Sequence, residues 1–159
     1  MSSDILLFPA GRLAYASAGE DFTMDHVSLN VLLGLVAWTL ILLILMEGLR
    51  ARLVATKAVA STAFRPDNAN LSPFMQRLAR AHANCVESLP VFATLLIAAL
   101  ITGRTAVTDP LAPWLLAARV VQSGAHLSSG GAFATNLRFA AFVVQIAIAV
   151  WWLAALFRG

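Results

Sequence analysis

Four long apolar segments constrain the fold of this chain more than any other feature. A helix of about 20 apolar residues crosses the roughly 30 Å of hydrocarbon in a bilayer. No segment alternates polar and apolar residues with a period of two, so spanning strands are disfavoured. The sequence therefore predicts an all-α integral membrane protein, a four-helix bundle. The predicted helices cover approximately residues 29–49, 74–101, 111–127 and 135–157.

The composition supports a membrane protein and excludes several other classes. Hydrophobic residues make up 60% of the 159 residues and charged residues only 12%, whereas a soluble domain is about 25% charged. The net charge of +3 comes without a basic stripe interleaved with aromatic residues, so nucleic-acid binding is not expected. Cys85 is the only cysteine, and the three histidines have no carboxylate at ligand spacing. We expect neither an intrachain disulfide nor a bound metal.

The distribution of basic residues predicts the orientation. The loop between the first two apolar segments holds most of the lysine and arginine, and such loops remain in the cytosol. Both termini are then extracytosolic. We expect residues 1–27 to form an extracytosolic tail and residues 28–159 to form the membrane domain. Abundant arginine and alanine suggest a bacterial inner membrane.

A polar stripe on the second predicted helix is the best indication of a functional site. Arg77, Arg80, Asn84 and Glu87 follow one another at steps of three or four residues, so they share one side of the helix. An ionisable group in a membrane span is costly unless it is paired or wetted. The stripe therefore predicts an internal site.

Polar residues of the third and fourth helices fall at the same predicted end of the bundle. His126 lies at the end of the third helix and Arg138 at the start of the fourth. At 1.5 Å per residue, Glu87 lies about 10 Å beyond Arg80, and Arg119 about 10 Å beyond His126. We therefore expect a polar cavity open to the cytosol and an ion pair between Glu87 and Arg119. The pair either joins two helices or orients a ligand.

The segment RLARAHANCVESLPVF closely resembles the second-helix signature of the MAPEG family, the membrane-associated proteins of eicosanoid and glutathione metabolism. Its pattern is the run Arg80, Ala81 and His82, followed by Asn84, Glu87 and Pro90. The resemblance implies a homotrimer that holds glutathione between neighbouring subunits, near the cytosolic face. By position, Arg138 resembles the arginine that stabilises the glutathione thiolate. The residues that resemble glutathione-binding positions are Arg50, Arg80, Asn84, Glu87 and His126.

Several positions depart from the family pattern. His126 stands where family enzymes commonly carry a tyrosine, and Phe142 also stands at a tyrosine position. Phe139 replaces a serine that follows the arginine in a family enzyme. Tyr15 is the only tyrosine of the chain. The arginine groups are retained, whereas several hydroxyl donors are absent.

Three functions remain open at this point. The first is a glutathione-dependent transferase or peroxidase, in which the thiolate attacks a small lipophilic electrophile or hydroperoxide that arrives from the membrane lipids. Arginine forks suit the two carboxylates of glutathione, and a nearby guanidinium favours the thiolate. The second is a non-catalytic protein that binds lipid or presents it to a partner, which the absent tyrosines favour. The third is a proton or solute pathway along Glu87, Arg119 and His126.

Overall fold

The computed structural model describes residues 27–128 and 130–158, and this part of the chain is helical without any strand. The predicted tail over residues 1–27 lies almost wholly outside the described residues. Over these residues, the prediction of an all-α fold is confirmed. The elements in chain order are helix α1 (Val27–Ala55), a 3₁₀ turn (Ser61–Ala63), helix α2 (Pro73–Ile101), a short helix α3 (Thr105–Thr108), helix α4 (Ala112–Ser128) and helix α5 (Ala132–Phe157).

Three of these helices are long and apolar enough to cross a membrane, namely α1, α2 and α5. They correspond to the first, second and fourth predicted spans. Helix α4 has 17 residues and includes the buried polar side chains of Arg119, Gln122 and Ser123, so it does not reach the same length and hydropathy. A fourth membrane span remains a prediction.

Side-chain hydrogen bonds fix the starts of α1 and α2. Ser72 precedes α2 and its hydroxyl accepts a hydrogen bond from the backbone N–H of Met75, at 3.4 Å, while Pro73 occupies the first helical position. Both features are typical of helix N-termini. In the first turn of α1, the backbone N–H of Ser28 donates to Oδ1 of Asp109 at 2.9 Å. That carboxylate lies after α3, so it ties the start of α1 to the α3–α4 connection.

Packing divides the interior into two apolar clusters. One cluster lies around Phe92, Leu115 and Trp152, and joins residues of α1, α2, α4 and α5. The other lies around Leu42, Leu78 and Cys85. Between them, polar side chains of α2, α4 and α5 meet. Large apolar residues such as Ile44 and Val150 remain exposed on the outside of the helices, as expected for surfaces that face lipid or another subunit.

Candidate functional site

Asn84, His126 and Arg138 meet although they lie on three different helices. The amide nitrogen Nδ2 of Asn84 lies 2.8 Å from Nε2 of the His126 ring. The other ring nitrogen, Nδ1, lies 3.2 Å from Nη1 of Arg138. Arg138 also donates through Nη2 to the hydroxyl oxygen of Thr135, at 2.7 Å. The structure therefore brings together three of the residues that the sequence singled out.

Arg80 lies beside this group and leaves its guanidinium available. Its side chain is exposed and forms no hydrogen bond or ion pair with the described residues. The charges of Arg138 and Arg80 both act on His126. Arg138 contacts the imidazole, and Arg80 precedes Asn84 by about one turn of α2. Their combined positive charge favours an anionic ligand at this end of the helices.

A second polar network lies deeper between the helices and centres on Arg119. This side chain is 3% exposed, and Nη1 donates to Oε1 of Gln122 at 2.8 Å and to the backbone carbonyl of Asn84 at 3.3 Å. Nη2 donates to the hydroxyl oxygen of Ser88, and the guanidinium lies 5.4 Å from the ring centroid of Phe92. The network joins α2 to α4 through a cation held by neutral groups.

The network continues to α5 through Gln145, which is fully buried. Its Nε2 donates to Oε1 of Gln122 at 3.2 Å and to the carbonyl of Ala141 at 2.8 Å. Its Oε1 has no hydrogen-bond partner among the described residues. A buried amide oxygen without a partner costs free energy. Gln145 therefore offers an unused acceptor to a water molecule or to a ligand group.

A cavity of about 240 Å³ opens beside these residues, between α2, α4 and α5. The two polar networks meet at its wall through Asn84, whereas Arg80, His126 and Arg138 are not among the lining residues. The predicted cavity shared by these three residues and open to the cytosol therefore stays a prediction. The lining is polar on the side of Arg119 and apolar on the side of α5. The lining residues are Asn84, Glu87, Ser88, Val91, Phe92, Arg119, Gln122, Phe142 and Ile146.

The predicted ion pair between Glu87 and Arg119 is not formed. Both residues line the cavity, but Glu87 is exposed and no ion pair joins it to the described part of the chain. The guanidinium of Arg119 instead turns to Ser88 and Gln122. The equal depth of the two residues along their helices correctly predicts that they lie close together. It does not predict which side chain Arg119 contacts. Glu87 is left with a free carboxylate at the cavity rim.

Arg50 is not brought into this group within one chain. Its Nε and Nη2 donate to Oδ1 of Asn68 at 3.0 and 2.6 Å, and Nη1 pairs with Glu47 at 2.9 Å. The guanidinium also lies 5.6 Å from the ring centroid of Phe64. These contacts hold the loop between α1 and α2. In the isolated chain, Arg50 therefore has a structural role.

Sequence reasoning overlooked Ser88 and Gln145 as members of the site. Ser88 follows Asn84 by four residues, so it lies one turn further along the same face of α2. Gln145 follows Arg138 by seven residues, which is two turns of α5. Both positions were therefore detectable from helical spacing. Neither residue carries a charge, which is why the ionisable residues drew attention first.

The sequence model of the MAPEG family matches residues 28–158. The chain belongs to the MAPEG family. No curated protein and no solved structure matches the chain significantly. With three helices of membrane length, this MAPEG member is an integral membrane protein, of the kind concerned with eicosanoid and glutathione metabolism.

Proposed function

We propose that this MAPEG protein is a membrane glutathione-dependent transferase or peroxidase. The observation that carries the proposal is a chain of contacts around His126. Its Nδ1 atom lies 3.2 Å from Nη1 of Arg138, and its Nε2 atom lies 2.8 Å from the side-chain amide of Asn84. Arg80, on the same helix as Asn84, has no hydrogen-bond partner among the described residues. Glutathione is the co-substrate in this proposal, and no metal is involved. The second substrate is a small lipophilic molecule that comes from the membrane.

The charges of the site suit the tripeptide. Glutathione carries two carboxylates, and the planar fork of an arginine binds a carboxylate through two hydrogen bonds. Arg80 has its donors available for this contact. The free carboxylate of Glu87 at the cavity rim is suited to the α-amino group of the glutamyl residue. Asn84 lies between Arg80 and Glu87 along α2 and completes the proposed binding group, while His126 supports it through its contacts with Asn84 and Arg138.

Arg138 would act on the thiol. The thiolate is the nucleophile, and a neighbouring cation stabilises it against the thiol. In the transferase reaction, the sulfur forms a bond to the electrophilic carbon, the leaving group departs with the bonding electrons, and the thiol proton goes to solvent. In the peroxidase reaction, the thiolate attacks a hydroperoxide oxygen and the O–O bond breaks. An alcohol leaves, and a second glutathione converts the sulfenic product to the disulfide and water.

The dimensions of the cavity support a site shared between copies of the chain. About 240 Å³ is below the roughly 300–1,000 Å³ of typical small-molecule sites. Glu87 lines the cavity and is exposed, Arg80 is exposed nearby on the same helix, and Arg50 is not in the group. A neighbouring copy in the homotrimer that the family resemblance implies would close the rim and add its own residues, Arg50 among them.

A non-catalytic role in lipid binding is the second candidate, and one observation favours it. Phe142 contributes an apolar ring to the cavity wall, and Phe139 is exposed on the same helix. No tyrosine hydroxyl is present among residues 27–128 and 130–158. A cavity with these apolar groups could hold a lipid without any reaction.

Turnover separates the two candidates. The purified protein in lipid nanodiscs should form glutathione conjugates with an aryl halide, or reduce a fatty-acid hydroperoxide, at rates above the uncatalysed reaction. Arg138→Ala should lower kcat, because the thiolate loses its cation. Arg158→Ala is the matched control, since Arg158 is an exposed arginine at the other end of the same helix. Glutathione binding without turnover toward either substrate would favour the non-catalytic role.

A further inference from the structure

The hydrogen bonds of His126 determine the protonation state of its ring. A guanidinium has only N–H donors and cannot accept a hydrogen bond. Nδ1 of His126, at 3.2 Å from Nη1 of Arg138, must therefore be the acceptor and carries no proton. A neutral imidazole has one proton on its two nitrogens. The proton then lies on Nε2.

The proton on Nε2 determines the orientation of Asn84. The atom 2.8 Å from Nε2 is the amide nitrogen of Asn84, which is also a donor. The oxygen and nitrogen of an amide have nearly the same shape, and the hydrogen-bond network decides between them. With the amide rotated by 180°, the Oδ1 atom of Asn84 accepts from Nε2–H. Each donor then has an acceptor: Arg138 donates to Nδ1 of His126, and Nε2 of His126 donates to Asn84.

From this chain of contacts, we infer that His126 is a positioning residue that holds the guanidinium of Arg138 at the thiol through an unprotonated Nδ1, in a tautomer fixed by Asn84. His126 acts through Arg138 in this assignment, and a direct contact with glutathione is not needed. The consequence for catalysis rests on the proposed function. The tautomer itself does not, because it follows from the contacts of the free protein.

The geometry also explains why a histidine serves at this place. Arg138 is fixed at one edge by the hydroxyl of Thr135, at 2.7 Å, which lies one turn earlier on α5. That contact alone leaves the side chain free to turn away from α4. Nδ1 of His126 provides a second acceptor from a different helix. Two acceptors on two helices restrict the guanidinium to one direction, and such preorganisation is the source of electrostatic stabilisation.

Nitrogen NMR of the ring tests the tautomer without glutathione. In protein labelled at histidine nitrogen and held in nanodiscs at neutral pH, His126 should show an unprotonated Nδ1 and a protonated Nε2. His126→Asn removes the signal and identifies it against His82 and His26. A protonated Nδ1, in either a neutral or a doubly protonated ring, would overturn the inference.

Two amide substitutions test the positioning role, because each places an amide atom near the position of only one of the two ring nitrogens. The oxygen of an asparagine side chain can occupy the place of Nδ1, whereas the amide of a glutamine reaches the place of Nε2. With glutathione bound, His126→Asn should therefore retain more ultraviolet thiolate absorbance than His126→Gln, and His126→Leu should lose most of it. In His126→Gln and His126→Leu, both glutathione affinity and thiolate absorbance should fall relative to the wild type. The fall in affinity should be the smaller of the two.

The outcomes separate this inference from the proposed function. Equal thiolate absorbance in the wild type and all three variants, or a higher signal in His126→Gln than in His126→Asn, would overturn the positioning role. If the wild-type protein binds no glutathione, the proposed function fails. The ring NMR would then still decide whether His126 accepts from Arg138.

Discussion

Nη1 of Arg119 donates to Oε1 of Gln122 at 2.8 Å, so a buried guanidinium on α4 is held by an amide one turn away. No carboxylate contacts Arg119 among the described residues. Its other partners are the backbone carbonyl of Asn84, the hydroxyl of Ser88 and the ring of Phe92, all on α2. The positive charge of Arg119 therefore depends on neutral groups that lie at the helix contact beside the cavity.

This dependence predicts an asymmetry between two substitutions. Gln122→Leu removes a hydrogen bond from a buried cation and should lower the free energy of unfolding by about 1.5–3 kcal/mol. Arg119→Met removes the charge and leaves neutral groups behind, so it should cost less than Gln122→Leu. Thermal unfolding in detergent micelles measures both variants.

The double variant Arg119→Met with Gln122→Leu is the control for that comparison. It should be more stable than Gln122→Leu alone, because no cation remains unpaired. Additive losses in the double variant would show that the two side chains do not interact.

Arg50 should control the order of the loop between α1 and α2. Its guanidinium donates to Asn68 and lies against the ring of Phe64. Asn68 has a positive φ of 54°. Arg50→Ala removes these contacts and should increase chymotrypsin cleavage after Phe64 several-fold. Arg52→Ala is the control, since Arg52 is exposed on the same helix end. Equal cleavage rates in the two variants would contradict the role assigned to Arg50.

Arg104 should stabilise the end of α5. It donates to the carbonyls of Leu156 and Ala155 at 2.7 and 3.0 Å, and such terminal carbonyls have no partner within their own helix. Arg104→Ala should lower the free energy of unfolding by about 1–2 kcal/mol and increase amide hydrogen exchange in the last turns. Arg158→Ala should do neither. A silent Arg104→Ala would mean that water replaces the guanidinium without cost.

Asp109 should stabilise the start of α1. Its Oδ1 accepts from the backbone N–H and the hydroxyl of Ser28, at 2.9 and 2.6 Å. Asp109→Ala should cost about 0.5–2 kcal/mol, as for the loss of an N-terminal cap. Asp109→Asn retains the acceptor oxygen and should cost less, which thermal unfolding of both variants will show. An equal loss in both would assign the effect to the charge rather than to the hydrogen bonds.

Most of the correct predictions about the fold come from the pattern of apolar residues and from the length of the apolar segments. Apolar runs placed α2 and α5 close to their observed bounds, because their outward faces remain apolar. Helix α1 extends to Ala55, beyond its predicted end near residue 49. Helical spacing also placed Asn84 and Arg80 on one side of α2. The approach of His126 to Arg138 followed from their positions at adjacent helix ends.

Side-chain pairing could not be derived in the same way. Glu87 and Arg119 lie at one depth, yet their rotation about the helix axes directs the guanidinium to Ser88. Arg50 was expected at the site from the family resemblance, but within one chain the loop provides its partners. Rotamers and loop contacts depend on packing that a periodic pattern does not contain.

The binding of glutathione to the purified protein tests the central claim most directly. In nanodiscs, the wild type should bind glutathione saturably at or below millimolar concentration, with the rise of thiolate absorbance as the signal. Arg80→Ala should weaken the affinity, and Arg138→Ala should lose the thiolate absorbance. A wild-type protein that shows no saturable binding at millimolar glutathione would contradict the account.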